Sequence, residues 1–285
     1  MENVILYNQV KVPILGLGTF MISSEDTERS VYMALKGGYR LIDTANAYLN
    51  EEAVGKAISR AIKEGIVRRE EIFVSTKIWA TLYEKEEAVS DTLARLGLEY
   101  VDLLFIHQPS GNFVAGYRKL EQAYRDGVAR SLGISNMHGD KLERLLAAAK
   151  VKPHVIQLEA HPYCTEREVM ERMAEYGTRF MGWYPLGHGD AELIKEPIFA
   201  RLSEKYRKSP AQIILRWHTQ MGFITIPGSK NPDHIRDNLN IFDFRLTVEE
   251  MSEIAELDGK KKYYEPDNAT EEKYATMHLP FEESR

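Results

Sequence analysis

Four polar side chains of complementary chemistry lie at the ends of three consecutive apolar segments, at residues 40–45, 72–79 and 101–108. Asp43 lies near the end of the first segment, and Tyr48 follows in the loop after it. Lys77 and His107 stand near the ends of the next two. Any one of them alone could be a helix cap, a structural ion pair or a solvated side chain. Four complementary groups on three successive segments instead predict a catalytic site.

The chemistry that these groups can perform together is delivery of a proton to an oxygen atom. A tyrosine hydroxyl, with an ordinary pKa of about 10, can donate a proton. A neighbouring Lys77 ammonium is expected to stabilise the Tyr48 phenolate and lower that pKa, while Asp43 keeps the lysine charged. His107 can orient a carbonyl oxygen beside Tyr48. The set therefore predicts the proton transfer that carbonyl reduction requires.

The elements that would position these groups are short apolar segments that alternate with stretches of helical periodicity. Eight segments have the composition of buried strands: 40–45, 72–79, 101–108, 129–136, 155–160, 179–186, 222–228 and 239–244. Several are apolar without interruption, as strands covered by helices are. The pattern predicts an α/β fold, a (β/α)8 TIM barrel, whose chemistry gathers at the C-terminal ends of the strands.

Local signals complete this prediction of the fold. Two apolar runs near the N-terminus, VILYN and VPILGLGT, predict a β-hairpin that closes the bottom of the barrel. Ser209 before a proline, and Thr165 followed by Glu168, predict two capped helix starts. A doubly wound dinucleotide fold is not favoured, because Met21 stands where the third glycine of G-x-G-x-x-G belongs. No linker or repeat divides the chain, so residues 1–285 are predicted to form one domain.

Composition excludes several classes of partner. The chain has 285 residues, with 37 Lys+Arg against 43 Asp+Glu and a formal net charge of −6. This charge disfavours nucleic acid and membrane surfaces, so a small molecule is the expected partner. Cys164 is the only cysteine, which fits a reducing compartment and predicts a cytoplasmic location. Neither an H-E-x-x-H motif nor a Cys-rich cluster is present, so no metal is expected.

Two long motifs resemble the signatures of the aldo-keto reductase family. They are GYRLIDTANAYLNEEAVG at 38–55 and LARLGLEYVDLLFIHQP at 93–109. GLGTF, a Ser-Asn pair, QLEAHP and YPLG are similar to family segments in the same order, so the resemblance extends from about residue 5 to 257. It implies NADPH-dependent reduction of aldehydes and ketones without a metal. The residues that match the family's catalytic tetrad are Asp43, Tyr48, Lys77 and His107.

The resemblance also implies the contacts of a nicotinamide cofactor. Ser135, Asn136 and Gln157 would hold the carboxamide, and Tyr184 would stack on the nicotinamide ring. The other cofactor-binding residues implied in this way are Gly18, Thr19, Phe20, Asp43, Leu186, Ser229, Lys230, His234 and Asn238.

The third family signature departs in IPGSKNPDHIRDN, at residues 226–238. Gly228 and His234 replace the two cations that usually face the 2′-phosphate of NADPH. Lys230 and Arg236 stand nearby and could take their place. This charge argument favours NADPH over NADH, and NADH stays open.

Short loops after the strands predict an open pocket for a small carbonyl substrate. Its predicted walls are Phe20, Tyr48, Trp79, His107 and Phe113. The tail, residues 263–285, either folds over the pocket, as family tails often do, or is a solvated, partly disordered terminus. Small aldehydes, 2-oxoaldehydes and sugar-derived ketones remain open as substrates. A monomer is the family expectation.

Two rival functions are compatible with a barrel. A cofactor-binding barrel with weak turnover could act as a redox sensor or regulatory subunit, and the intact quartet argues against it. A metal-dependent hydrolase would need a ligand cluster that the sequence does not show. His161 is predicted to be structural, and Cys164 to be inert.

Overall fold

The computed structural model describes residues 2–282; Met1 and residues 283–285, which belong to the predicted domain and tail, lie outside it. The described strands are β1 Asn3–Ile5, β2 Lys11–Pro13, β3 Leu17–Gly18, β4 Leu41–Asp43, β5 Phe73–Ile78, β6 Leu103–Ile106, β7 Leu132–Ser135, β8 Val155–Glu159, β9 Arg179–Trp183 and β10 Ile224–Thr225. β3 to β10 form one parallel sheet in sequence order.

The two ends of this sheet meet. Leu15, just before β3, forms a parallel bridge with Thr225 of β10, and Gly16 N donates to Thr225 O at 2.9 Å. The approach is close, since a Cβ added to Gly18 would lie 2.7 Å from Ile226 O. Only glycine fits between two backbones at that distance. The prediction of a (β/α)8 barrel is confirmed.

Helices surround the sheet, and the last of them contacts the turn after β5. Those in the described chain are α1 Ser24–Gly37, α2 Glu51–Lys63, α3 Ala88–Leu96, α4 Phe113–Arg125, α5 Gly139–Ala148, α6 Arg167–Ala174, α7 Ala191–Ile194, α8 Pro197–Tyr206, α9 Pro210–Gln220, α10 Pro232–Asn238, α11 Val248–Ala255 and α12 Asn268–Thr276. Within residues 2–282, none of them has the length and apolar character needed to cross a membrane.

One of the two predicted helix starts is confirmed and the other is wrong. Ser209 and Gln212 form a reciprocal capping box at the start of α9. At the start of α6, by contrast, the Thr165 side chain does not cap the helix. Its Oγ1 donates to Asp258 Oδ2 at 2.6 Å, and Glu166 precedes the helix with φ 52°. A tertiary partner therefore replaces the local cap.

The predicted strand at 239–244 is also wrong. This segment forms turns after α10, and the barrel strand missing from the prediction is β3, which lies within the predicted hairpin region. Ile241 is fully buried, and the Phe244 ring lies 5.0 Å from the Tyr206 ring on α8. The segment packs on outer helices. An apolar run that packs on helices has the same sequence pattern as a buried strand.

The predicted hairpin is present at the bottom of the barrel. β1 pairs antiparallel with β2, with Val4 opposite Val12. Leu6 and Val12 are buried in one cluster with the first residues of β4, β5, β6 and β8. Their apolar side chains close the N-terminal end, so the opposite end of the barrel holds the polar groups.

Candidate active site

Asp43, Tyr48, Lys77 and His107 lie together at the C-terminal end of the barrel strands. Lys77 Nζ donates to Asp43 Oδ2 at 2.6 Å and to Thr44 O at 2.8 Å. The ammonium lies 4.9 Å from the centre of the Tyr48 ring. The Tyr48 and His107 rings meet edge to face, with centroids 5.6 Å apart. The structure thus assembles the four groups found at the predicted strand ends.

A short 3-10 turn, Asn46–Tyr48, carries the tyrosine. Asn50 holds the loop after it. Its Nδ2 donates to Thr19 O at 2.9 Å, and its Oδ1 accepts from Thr44 Oγ1 at 3.0 Å. Because Asn50 is buried, these bonds replace those that water would make. They also join the Gly18-Thr19-Phe20 segment to the loop that carries Tyr48.

The Asp43 carboxylate accepts hydrogen bonds from three side chains. Besides Lys77, Ser75 Oγ donates to Oδ1 at 2.7 Å and Gln157 Nε2 donates to the same oxygen at 3.1 Å. Ser75 was not among the site residues predicted from the sequence. Its place two residues before Lys77 on one strand is the signal that could have found it, since such side chains share a face. Gln157, predicted to contact the cofactor, contacts the quartet as well.

The electrostatics of Tyr48 differ from the expectation. Burial raises its pKa well above the ordinary value, and the Asp43 carboxylate raises it further. We predicted that Lys77 would lower the Tyr48 pKa. In this structure the net change is in the opposite direction, because loss of water disfavours the phenolate. Burial also lowers the pKa of Lys77, with Asp43 acting in the opposite direction. Tyr48 therefore carries its proton at neutral pH.

His107 is neutral in this environment. Burial, and then the Lys77 ammonium, lower its pKa well below the ordinary value. Its Nδ1 is buried with no hydrogen-bond partner in residues 2–282. A neutral imidazole keeps one N–H donor, so His107 can donate to an oxygen without carrying charge.

The residues predicted to hold a carboxamide lie on neighbouring strands. Ser135 at the end of β7 pairs with Gln157 of β8. Asn136 follows with φ 56°. Its Oδ1 accepts from Trp183 Nε1 at 3.0 Å, and its Nδ2 donates to Gln108 Oε1 at 3.3 Å. The Asn136 amide is thus held by Gln108 and Trp183, two side chains that were not predicted as site residues.

Tyr184 follows β9 with φ 52°. The His188 ring lies 4.1 Å from the Tyr184 ring at an angle of 30°, and the Phe20 ring lies 6.1 Å away. Leu186 is partly buried just before the 3-10 turn Gly187–Gly189. Burial raises the pKa of Tyr184 to about 12, so its ring is a neutral stacking surface.

Four of the five predicted pocket walls meet at the same mouth. The Phe20 ring lies 5.0 Å from Tyr48 and is 46% exposed. The Trp79 ring meets His107 edge to face at 5.2 Å. Phe113, at the start of α4, is buried in the same core cluster as Trp79. Within residues 2–282, the ring contacts at the mouth join Phe20, Tyr48, Trp79 and His107 and do not include Phe113.

Residues of the tail contact this mouth. Trp79 Nε1 donates to Met277 O at 2.9 Å, and the Tyr274 ring lies 5.3 Å from Trp79. Tyr264 Oη donates to Gln108 Oε1 at 3.2 Å. Neither Gln108 nor Tyr264 was predicted as a site residue, because no spacing in the sequence links two residues 156 positions apart.

The aldo/keto reductase family model matches residues 14–259. The chain belongs to the aldo/keto reductase family. It is 39% identical to a methylglyoxal reductase of Yersinia pestis over 261 residues, which cover 90% of this chain and 93% of that protein. It is 34% identical to an NADH-dependent D-xylose reductase of Candida parapsilosis, with 90% and 92% covered.

Solved structures of the family have the same fold. An aldo-keto reductase of Bombyx mori, crystallised in complex with NADP, superposes with a TM-score of 0.86 at 32% identity. The match covers 93% of this chain and 95% of that one. This aldo/keto reductase is thus an oxidoreductase that uses a nicotinamide cofactor on small carbonyl compounds. In residues 2–282, no group of three or more His, Cys, Asp or Glu side chains could hold a metal ion.

The reductase places the residues of its third family signature after β10 and on α10. Ser229 accepts a hydrogen bond from the backbone N–H two residues later. Lys230 is exposed, with its Nζ 3.9 Å from Asp26 Oδ2. His234 is exposed on α10, whereas Asn238 is buried at the end of that helix. None of these residues contacts the catalytic quartet in residues 2–282.

The remaining cation in this region is already paired. Arg236 Nη1 lies 2.9 Å from Asp233 Oδ1, and Arg236 Nε lies 3.3 Å from Asp237 Oδ1. The backbone of Gly228 lies close to that of Gly18 in β3, since a Cβ added to Gly228 would lie 3.1 Å from Gly18 O. The region therefore combines two exposed cations with carboxylates that partly neutralise them.

Proposed function

We propose that this reductase converts an aldehyde or ketone to the alcohol with hydride from NAD(P)H, and that Tyr48 donates the proton. The observation that carries the proposal is the buried Lys77–Asp43 ion pair, 2.6 Å long, beside the Tyr48 ring. The cofactor, when bound, supplies the hydride that the carbonyl carbon accepts. The C=O π electrons move to oxygen, which takes the Tyr48 proton, and water later returns a proton to Tyr48.

Tyr48 and Lys77 act together in this transfer. Burial keeps Tyr48 protonated at neutral pH, so the proton is present before the carbonyl binds. Once it leaves, the phenolate lies beside the Lys77 ammonium, whose positive charge stabilises it. Asp43 holds that ammonium, and Ser75 and Gln157 orient the carboxylate.

His107 orients the carbonyl oxygen. Its neutral ring can donate one hydrogen bond to the oxygen that Tyr48 protonates, without competing as an acid. Phe20, Trp79 and the ring of Tyr48 supply apolar walls around that position. Phe113, buried in the same core cluster as Trp79, is proposed as a further wall behind these rings.

The polar groups present suit the nicotinamide end of the cofactor. Gln157 Nε2 already donates to Asp43, so its Oε1 is the atom left to accept from a carboxamide. The Asn136 amide retains a second N–H beyond the one given to Gln108, and Ser135 contributes a hydroxyl. We assign the ring contact to Tyr184. The remaining proposed contacts are Gly18, Thr19, Phe20, Asp43, Leu186, Ser229, Lys230, His234 and Asn238.

NADPH is the proposed preferred cofactor, by a small margin over NADH. Lys230 and Arg236 provide positive charge for a 2′-phosphate. Asp233 and Asp237 oppose it, because each lies within 3.3 Å of Arg236. A relative described as NADH-dependent and a neighbour crystallised with NADP fit a family in which either cofactor occurs.

We also propose a domain organisation, a location and an oligomeric state for this reductase. Residues 1–285 form one domain, and the tail covers the mouth through Trp79 and its contacts with Tyr274 and Met277. The protein acts as a cytoplasmic monomer on a small carbonyl substrate and binds neither nucleic acid nor membrane. The net charge of −6 and the single cysteine support these assignments.

Cofactor titration followed by turnover tests the proposal. Purified protein is titrated with NADPH and with NADH by fluorescence, and cofactor consumption is then followed with methylglyoxal, xylose and aromatic aldehydes. Binding with consumption of at least one carbonyl is the expected result. Binding without consumption of any of them would favour the redox-sensor alternative, and binding of neither cofactor would exclude the proposal.

A further inference from the structure

Four side chains form a closed circuit that links the tail to the barrel mouth. Gln108 Oε1 accepts from Asn136 Nδ2 at 3.3 Å and from Tyr264 Oη at 3.2 Å. Trp183 Nε1 donates to Asn136 Oδ1 at 3.0 Å. The Trp183 and Tyr264 rings then meet edge to face, with centroids 5.5 Å apart. We call these four residues the Tyr264 circuit.

Gln108 is held firmly enough to transmit an effect through this circuit. Its backbone N donates to Tyr83 Oη at 2.9 Å, and the same hydroxyl donates to Gln108 O at 2.7 Å. Tyr83 is buried, and Gln108 is only 6% exposed. Because both backbone groups are fixed, the Gln108 amide can turn only about its side-chain bonds. In this position Gln108 Oε1 accepts from both Asn136 Nδ2 and Tyr264 Oη.

The circuit decides which way the Asn136 amide faces. An indole N–H is a donor only, so Asn136 Oδ1 must be the atom that faces Trp183. Nδ2 consequently faces Gln108, and its second N–H is left for a ligand. Without Gln108 and Trp183 the amide could flip, which would exchange a donor for an acceptor at the ligand position.

We infer that Tyr264 is a positioning residue for the nicotinamide, acting through Gln108 on Asn136. The inference rests on the proposed function, in which Asn136 holds the carboxamide. The tail residue makes cofactor binding tighter by restricting Gln108, so less conformational freedom remains to be lost when the cofactor binds. The tail thereby acts on the cofactor as well as on the pocket.

Tyr264→Phe tests the inference, because it removes one hydroxyl and keeps the ring against Trp183. The dissociation constant of NADPH, measured by fluorescence, should rise about 3- to 10-fold, the range of one lost hydrogen bond. The KM for the carbonyl substrate should change less than the NADPH dissociation constant. The melting temperature without cofactor should stay within about 2 °C, since the ring packing is kept.

Two further variants make the result decisive. Gln108→Met has a similar length and only a weakly accepting sulfur in place of the amide oxygen, so it should weaken NADPH binding at least as much. Adding Tyr264→Phe to it should have little further effect. Tyr32→Phe, which removes a hydroxyl bonded to Glu64 on the outer helices, is the matched control and should bind like wild type. Wild-type NADPH affinity in Tyr264→Phe, or effects that simply add, would overturn the inference. Failure of the wild-type chain to bind or use either cofactor would instead overturn the proposed function.

Discussion

Lys77 Nζ lies 2.6 Å from Asp43 Oδ2, and the two side chains are only 1% and 2% exposed. Burial alone would favour a neutral lysine, and Asp43 opposes this effect by attraction and by a hydrogen bond. The pair therefore keeps a positive charge beside Tyr48 in a place that water does not reach. Removing one partner of such a pair leaves the other charge buried with no opposite charge beside it.

Asp43→Asn should reduce both stability and activity. The free energy of unfolding should fall by about 3–5 kcal/mol, because the Lys77 charge remains buried beside a neutral amide. We expect kcat to fall by about 100-fold or more, since the Lys77 ammonium loses the carboxylate that holds it beside the Tyr48 phenolate. Urea unfolding and steady-state kinetics measure the two effects. The double variant Asp43→Asn with Lys77→Met should recover stability and no activity, and an Asp43→Asn protein of wild-type kcat would contradict the assigned role.

Tyr48→Phe should remove turnover and leave cofactor binding intact. Loss of the proton donor is expected to lower kcat by about 10²- to 10⁴-fold. The NADPH dissociation constant should stay within about 2-fold, because the ring and its contact with Phe20 remain. Tyr206→Phe on α8 removes a hydroxyl bonded to Glu250, outside the catalytic quartet, and serves as the control. Substantial activity in Tyr48→Phe would exclude Tyr48 as the donor.

The pH profile of carbonyl reduction should be broad. Reduction needs protonated Tyr48, which is lost only as pH rises through a pKa well above the ordinary value. It also needs neutral His107, which is lost only as pH falls through a lowered pKa. We expect kcat to be flat from about pH 6 to 9, whereas oxidation of the alcohol, which needs the phenolate, should rise with pH. A fall in the chemical step of reduction centred near neutral pH would show that Lys77 lowers the Tyr48 pKa after all.

Asp237→Asn should increase the preference for NADPH. The substitution removes a carboxylate 3.3 Å from Arg236, so the guanidinium is freer to pair with a 2′-phosphate. The NADPH dissociation constant should fall about 3-fold, with little change for NADH, and the effect should shrink at about 0.5 M salt. Asp243→Asn, which removes a partner of Lys208, is the control. Equal changes for both cofactors would show that Arg236 does not face the phosphate.

His154→Asn should make the fold less sensitive to acid. His154 is buried and stacked on Tyr7, its Nδ1 accepts from Leu132 N, and burial lowers its pKa to about 4. The unfolded chain therefore binds the proton more readily, so stability falls as pH drops from about 6.5 to about 4, on the order of 2–3 kcal/mol. Asparagine keeps an acceptor without titrating. Urea unfolding at about pH 7 and 4 should show a smaller loss for the variant, and an equal loss would assign the sensitivity to other groups.

Several features of this reductase were predictable from its sequence. Asp43, Lys77 and His107 meet because the C-terminal ends of parallel strands share one end of a barrel, whatever the loops do. The N-terminal hairpin followed from two apolar runs, and the capping box at Ser209 followed from local spacing. Each of these depends on backbone periodicity or on neighbours close in sequence.

Other features were decided only by the tertiary structure. The apolar run 239–244 covers outer helices, and Thr165 bonds to Asp258 instead of capping its helix. Gln108 and Tyr264 meet across most of the chain, so no local pattern could link them. The sequence by itself determined which chemical groups share the mouth of the barrel. Their pKa values and their partners were decided by burial, because loss of water and contact between distant segments exist only once the chain has folded.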